Sequence, residues 1–254
     1  MPLVTRLDGT QYDLKPLGIW AQDFIVSAPN YRHVTAQVTG ANGLVVQETT
    51  FGERTITMPV RIRPASFAAY TSLRNQVFSI FRSDEEFYIS DMRDPSKRWL
   101  VKCTSFSDLA QKGPYGDTTI VFTCYRGFAE DVNPVLIIET GSPFIVTNNG
   151  NIPIDPTDSS QPDFLITVKG PSNNLTINNI TTGESFQYNT SMNSDDILTI
   201  KNVQLLKNGV SDYGNCNGQS ISLAKGQNTF SISGYGSPFE IDFQFTQLFL
   251  GGSV

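Results

Sequence analysis

A chain of 254 residues is long enough for two domains of ordinary size, each with its own core. Only 17% of its residues are charged, and the polar share falls to Ser, Thr and Asn, which suits turn-rich β proteins. A net charge of −6 excludes a general nucleic-acid binder, which needs a basic footprint, but allows a surface past which DNA slides without being held.

The first residues, Met1 to Arg6, hold no apolar signal core. Between Ile19 and Val46, three strand-like segments follow: Phe24-Ile25-Val26, Val34 to Val38 and Leu44-Val45-Val46. Ala28-Pro29-Asn30 and Gly40 to Gly43 separate them, and Asn42-Gly43 is a tight-turn signal. These strands either complete the sheet of their own domain or project and pair with a neighbour. From Arg54 to Arg63 the pattern alternates. Ile56, Met58, Val60 and Ile62 share one face; Thr55, Thr57, Pro59, Arg61 and Arg63 share the other. Pro59 lacks an N–H, so its side of the strand is expected to be an edge or a bulge. Pro64 and Ser66 predict a helix start with Ser66 as N-cap. Phe67, Tyr70, Leu73, Val77, Ile80 and Phe81 follow at helical spacing and need a sheet to cover them. Phe87-Tyr88-Ile89 and Trp99 to Cys103 read as a hairpin around Arg93 to Ser96, and Thr118 to Tyr125 as a further strand.

Composition changes near Asn133-Pro134. Residues 1–133 carry 14 basic and 14 acidic side chains, whereas residues 134–254 carry 4 and 10 and so hold the entire net charge. All ten arginines lie at or before Arg126, and fourteen of eighteen asparagines lie after Asn133. Two domains are expected, 1–133 and 134–254. The second half shows no helical stripe. Phe164, Ile166 and Val168, and Phe239, Ile241, Phe243 and Phe245, alternate with polar residues between turns at Thr182-Gly183, Asn208-Gly209 and Lys225 to Asn228. That pattern predicts an antiparallel β-sandwich. The longest aliphatic run, Val135 to Ile138, is too short for a membrane span.

Candidate chemistry is sparse. Cys103, Cys124 and Cys216 form no C-x-x-C pair and read as reduced structural thiols. The single histidine, His33, has no nucleophile motif to serve. Glu85-Glu86 and Asp195-Asp196 are sequence neighbours, so in extended chain they point to opposite faces, unlike catalytic carboxylates. No phosphate loop, dinucleotide motif or calcium loop is present, and neither a cofactor nor a metal is expected. Sequons at Asn174, Asn179 and Asn189 read as accidents of an Asn-rich stretch. Tyr188, Tyr213 and Tyr235 are the candidate platforms for an alternative function, a carbohydrate-binding adhesion protein recognising a host cell-wall glycan.

The whole chain resembles the distal tail protein family of siphophages, in the short form found in phages of Gram-positive hosts. The resemblance rests on Gly40 to Gly43 followed by Thr50-Phe51-Gly52-Glu53-Arg54-Thr55-Ile56, then the alternating strand and the helix with Tyr70, Leu73, Val77 and Phe81. In the second half it rests on Gly150-Asn151-Ile152-Pro153, Phe164 to Gly170, Asp196 to Ile200, Lys207-Asn208-Gly209 and Leu223 to Asn228. It implies a mainly β chain with no enzymatic activity. Residues 1–133 would be a tail-tube-like ring-forming domain with one α-helix and a projecting hairpin at about 20–46. Residues 134–254 would be a galectin- or carbohydrate-binding-module-like sandwich outside the ring. It further implies a homo-hexamer at the virion tail tip, partnered by the tail tube protein and a tail-tip fibre protein, with DNA passing through its channel without specific binding and no membrane insertion. Candidate inter-subunit contacts are Phe24, Ile25, Val26, Val34, Val38, Asn42 and Gly43, with Arg61 and Arg63 set to meet a neighbour's carboxylates. Incubated with cell-wall or teichoic-acid glycans, the chain is expected to release no more reducing sugar than a protein-free control; release abolished by mutating one acidic residue would show that it is an enzyme.

Overall fold

The computed structural model describes residues 2–40 and 42–251, with backbone only at Ala110. These residues fall into two compact units, one reaching to Val132 and including Leu250 and Gly251, the other comprising Asn133–Phe249.

The first unit contains β1 (Leu3–Arg6), β2 (Gln11–Asp13), β3 (Ile19–Ala21), β4 (Ile25–Val26), β5 (Tyr31–Ala36), β6 (Val45–Phe51), β7 (Arg54–Ile62), α1 (Tyr70–Ile80), β8 (Phe87–Ser90), β9 (Lys97–Phe106), β10 (Ala110–Lys112), β11 (Tyr115–Cys124) and β12 (Ala129–Asp131). Its main sheet runs β2-β1-β8-β9-β11-β7-β3, with β10 extending the β11 hairpin, β12 on β9 and β4 on β7. β9 is shared among three partners: Lys97 and Arg98 pair with β12, Trp99–Val101 with β8 and Lys102–Phe106 with β11. β7 is the longest-paired strand of its end of the sheet. It pairs with β11 along all nine of its residues, and with β3 and β4 in tandem on its other side.

Alternation in β7 is realised as expected: Ile56, Met58, Val60 and Ile62 are all buried, each worth about 1.5–3 kcal/mol relative to exposure. Pro59, however, does not mark a sheet edge. Its carbonyl accepts from the Gln22 N–H at 2.8 Å. In an antiparallel strand the N and O of one residue face the same neighbour. The nitrogen without a proton therefore faces the break between β3 and β4, where no partner needs it.

Helix α1 begins later than the sequence predicts. Ala69 is the N-cap, and Ser66 closes the preceding turn instead, its Oγ 3.3 Å from the Ala69 N–H. Phe67 lies before the helix and is exposed, while Tyr70, Leu73, Val77 and Ile80 are buried. Phe81, at the C-cap, joins an aromatic cluster with Phe87 and Phe122, at centroid distances of 6.4 and 5.6 Å. The tilted and edge-on geometry of these rings is the favoured one. Arg6, itself buried, donates to the Arg82 carbonyl at 3.0 Å and to Glu85 at 3.1 Å, which places the acidic segment Asp84-Glu85 beside β1.

The second unit contains β13 (Val135–Glu139), β14 (Phe144–Asn148), β15 (Leu165–Lys169), β16 (Ser172–Asn179), β17 (Glu184–Met192), β18 (Ile197–Lys201), β19 (Gln204–Lys207), β20 (Val210–Ser211), β21 (Gly226–Tyr235), β22 (Glu240–Phe245) and β23 (Leu248–Phe249). Two antiparallel sheets, β13-β22-β15-β18-β19-β20 and β14-β21-β16-β17, form a sandwich. Phe243 of the first sheet meets Phe230 and Phe144 of the second at 4.8 and 5.7 Å. The β19–β20 hairpin turns on Asn208 and Gly209, both at positive φ (51° and 79°), the type I′ conformation that an Asn-Gly pair suits. The only helical segment described here is a single 3₁₀ turn at Tyr213–Asn215.

Asparagine also serves the interior. Asn148, Asn179 and Asn228 are completely buried, and each has partners. Asn179 donates to the Ser222 carbonyl at 2.8 Å and to Asn228 Oδ1 at 3.2 Å; Asn228 donates to the Ala224 carbonyl at 2.9 Å. Asn148 donates to the Ile152 carbonyl at 3.0 Å. A buried polar side chain is tolerated only when paired in this way. Burial of Asn179 also removes one sequon from reach.

Asp196 closes the β17–β18 connection. Its carboxylate accepts from the Asn193 N–H at 2.8 Å and Asn208 Nδ2 at 2.8 Å, and lies 3.1 Å from Lys207 Nζ. The Asn193 backbone bond, then Asn208 and Lys207, hold its pKa down to about 2 from 3.8. A folded pKa below the unfolded one stabilises the fold fully above about pH 4, and this contribution is lost as pH falls toward 2. Acid titration of the full chain, followed by circular dichroism, is therefore expected to show the wild type losing stability across that window. The Asp196→Asn variant, weaker at neutral pH, should show a flatter profile there.

Candidate assembly surface

β5 and β6 leave the main sheet and form a two-stranded sheet of their own, paired from Tyr31↔Phe51 to Ala36↔Val45 with a bulge at Val34/Thr35. Nearly every residue of both strands is exposed, on both faces. The apolar ones, Tyr31, Val34, Val45 and Val46, are 49–56% exposed, and Val38 and Leu44 beside the strands are 52% and 63% exposed. A two-stranded sheet without a covered face is marginal in water.

The base of the hairpin, by contrast, is well held. Tyr31 stacks on His33 at 6.4 Å with 9° between planes, and Phe51 closes on Tyr31 at 5.6 Å. His33 Nδ1 is 2.9 Å from Thr49 Oγ1, and Arg32 pairs with Glu53. Gly52 donates its N–H to the Asn30 carbonyl at 2.8 Å. Gly127, at φ 77°, lies so close to the Gly52 carbonyl that any Cβ there would collide with it. Arg54 fixes the point of departure. It is 4% exposed, donates to the Ser27 and Leu250 carbonyls, and lies over the Trp99 ring at 5.0 Å. Burial pushes its guanidinium pKa down, but the carbonyls and the ring face take the place of water around the charge.

The sequence-predicted contact residues are scattered over three places. Val34, Asn42 and Gly43 belong to the exposed hairpin and its tip, and Val38 to the chain leaving β5. Phe24, Ile25 and Val26 lie at β4, where Phe24 is a buried core residue, Val26 is half-buried and Ile25 is exposed. Arg61 and Arg63 lie at the far end of β7, beside β3. Arg61 has its carboxylate within its own chain: Asp117 accepts Nε at 2.7 Å and Nη2 at 3.1 Å, an ion-pair geometry that raises the arginine pKa and lowers the aspartate's. Arg63 lies over the Trp20 ring at 5.4 Å, with Lys15 Nζ over the same ring at 5.4 Å. Sequence reasoning missed Trp20, Arg54 and the whole of β6 beyond Val46. The hairpin extends from Tyr31 to Phe51, further along the chain than residues 20–46; Val45 to Phe51 have no buried face, so no alternation in the sequence marks the second strand.

Among the proposed sugar platforms, Tyr188 is fully buried, its hydroxyl 2.5 Å from Asp212, and so presents no ring to solvent. Its burial and Asp212 push its pKa up. Tyr213 is half-exposed, and Tyr235 packs on Phe239 at 4.3 Å. The three cysteines are unpaired, and burial pushes the Cys103 thiol up to about 11. Among the described residues no cluster of His, Cys, Asp and Glu could hold a metal ion, and no helix is long and apolar enough to cross a membrane.

The first unit combines a large sheet with one helix and an uncovered hairpin, and a β-sandwich follows it in the same chain. Residues 7–124 match the family model of the phage tail protein RIFT-related domain. Over nearly its whole length the chain shares the fold of the SPP1 Dit protein, described as a paradigm of hub adsorption apparatus in Gram-positive infecting phages, with a TM-score of 0.72 at 13% identity, covering 97% of this chain and 99% of that one. A chain of the phage P2 baseplate in its activated conformation with Ca is also similar, at TM-score 0.46 and 9% identity over 97% of both chains. No curated protein matches significantly in sequence. The resemblance to siphophage distal tail proteins and the mainly β fold class are both met by the family match and the SPP1 Dit fold. The matched model is of a phage tail protein domain, and the SPP1 Dit protein is described as a hub of the adsorption apparatus.

Replacing Arg54 by Lys leaves a charge that cannot span two carbonyls. The variant is expected to lose about 2 kcal/mol of stability, as for a hydrogen bond to a charged group. Amide hydrogen exchange should accelerate from Ser27 to Gly52 while α1 is unaffected; unchanged exchange in that segment would show that Arg54 does not hold the hairpin.

Proposed function

We propose that this chain is a ring-forming structural subunit of the tail tip of a siphophage, six copies joining the tail tube to the host-adsorption apparatus around a channel for DNA. The observation that carries this reading is the β5–β6 sheet, apolar on exposed surface and open on both faces, with a rigid base. Such an element gains stability from a second protein surface. A closed ring of identical subunits offers one to every hairpin without leaving an open end. Each half-exposed aliphatic side chain covered there contributes about 1 kcal/mol.

In this reading residues 1–133 build the ring, with candidate contacts in the hairpin and at Ile25 and Arg63, and the sandwich lies outside it as a galectin-like module. The ten arginines of the first half suit interfaces. The net −6 of residues 134–254 disfavours crowding six copies around one axis. The tail tube protein and a tail-tip fibre protein are the proposed neighbours above and below.

The full chain is expected to form rings by electron microscopy and light scattering. The double variant Val34→Asp, Val45→Asp should be a monomer with an unchanged unfolding temperature. A wild type that stays monomeric at every concentration would overturn the ring, and a double variant that still forms it would overturn the part given to the hairpin.

A further inference from the structure

Four Asn-Gly pairs occur in the chain, at Asn42, Asn149, Asn208 and Asn217. Asn-Gly is the pair most prone to cyclise, because glycine offers its backbone nitrogen without a side chain to shield it. The reaction needs a free side-chain amide and a free glycine N–H, and the fold treats the four pairs differently.

Three are locked. Asn208 Oδ1 accepts the Ile197 N–H at 2.8 Å and its Nδ2 donates to Asp196 at 2.8 Å. Asn217 Oδ1 accepts the Gln187 N–H at 3.2 Å and the Gln219 N–H at 3.2 Å, and its Nδ2 donates to the Ser185 carbonyl at 2.9 Å. At Asn149 the side chain is exposed, but the nucleophile is occupied: the Gly150 N–H donates to Asn148 Oδ1 at 3.0 Å, and Gly150 is buried against Leu248.

Asn42-Gly43 is different. Both residues are exposed at the hairpin tip, Gly43 has a φ of 82° with open space around it, and among the described residues neither the Asn42 amide nor the Gly43 N–H has a hydrogen-bond partner. We propose that Asn42 is a selective site of spontaneous deamidation. The Gly43 nitrogen loses its proton to solvent base and bonds to Asn42 Cγ. The Cγ–Nδ2 bond breaks and the nitrogen leaves as ammonia, giving a five-membered imide. Water then adds to either imide carbonyl and reopens the ring as aspartate or isoaspartate. The net exchange is one water in and one ammonia out, and it places a carboxylate on the apolar hairpin.

The site is a property of the hairpin's chemistry and stands apart from the ring reading. It is tested on the full-length Val34→Asp, Val45→Asp variant, whose tip no neighbour covers. After incubation at mildly alkaline and mildly acidic pH, peptide mapping by mass spectrometry quantifies the Asn-to-Asp mass gain at all four sites. Asn42 is expected to convert about tenfold faster than Asn208 or Asn217, the ratio that one or two hydrogen bonds to the amide correspond to. Conversion should be faster at the higher pH, and in denaturant the four rates should converge. Adding Asn42→Gln should remove the fast component. An Asn42 that converts no faster than the other three in the folded chain overturns the proposal.

Discussion

The first unit depends on the pairing of β7. This strand bonds to β11 over nine residues and to β3 and β4 on its other side, so it is where the sheet, the helix-covered core and the hairpin meet. Its inward residues supply the apolar floor, and Arg54, its first residue, ties the chain before the hairpin through the Ser27 carbonyl. A buried cation without a carboxylate is costly unless its donors are used, and here carbonyl groups and an indole face use them. The same residue therefore ends the hairpin and begins β7.

The second unit is stabilised on a different principle. Its inner faces carry interlocking Phe side chains, with Phe243 packed against the stacked pair Phe144 and Phe230, and its loops are fixed by buried asparagines that replace backbone partners. Asn is suited to this because its amide donates and accepts at once, satisfying carbonyl and N–H groups that sheet pairing leaves over. The concentration of asparagine after residue 133 is thus partly structural, as at Asn148, Asn179 and Asn228, and partly a matter of turn geometry, as at Asn208.

The hairpin combines a fixed base with an uncovered surface. The base of the hairpin is locked by aromatic stacking, an ion pair and glycine contacts, while its strands offer apolar surface to nothing in their own chain. A pre-organised strand pair loses little entropy when a neighbour covers it, which is the gain the proposed ring would draw on.

Whatever repeats locally could be read from the chain alone. The buried faces of β7 and β22, the helical stripe from Tyr70 to Phe81, the Asn208-Gly209 turn and the change of composition at Asn133 were all legible, because periods of 2 and 3.6 and turn chemistry are carried by near neighbours. Tertiary structure decided what depends on distant partners. Pro59 is interior because β3 and β4 leave a gap opposite it; Arg61 is taken up by Asp117, fifty-six positions away; Tyr188 is buried by its sandwich; and Phe67 is exposed because the helix starts after it. The candidate assembly surface was only half legible, since β5 and β6 are uncovered on both faces and no burial pattern was imposed on their residues. A periodic pattern records that a face is covered by something; only the folded chain determines what covers it, or that nothing in the same molecule does.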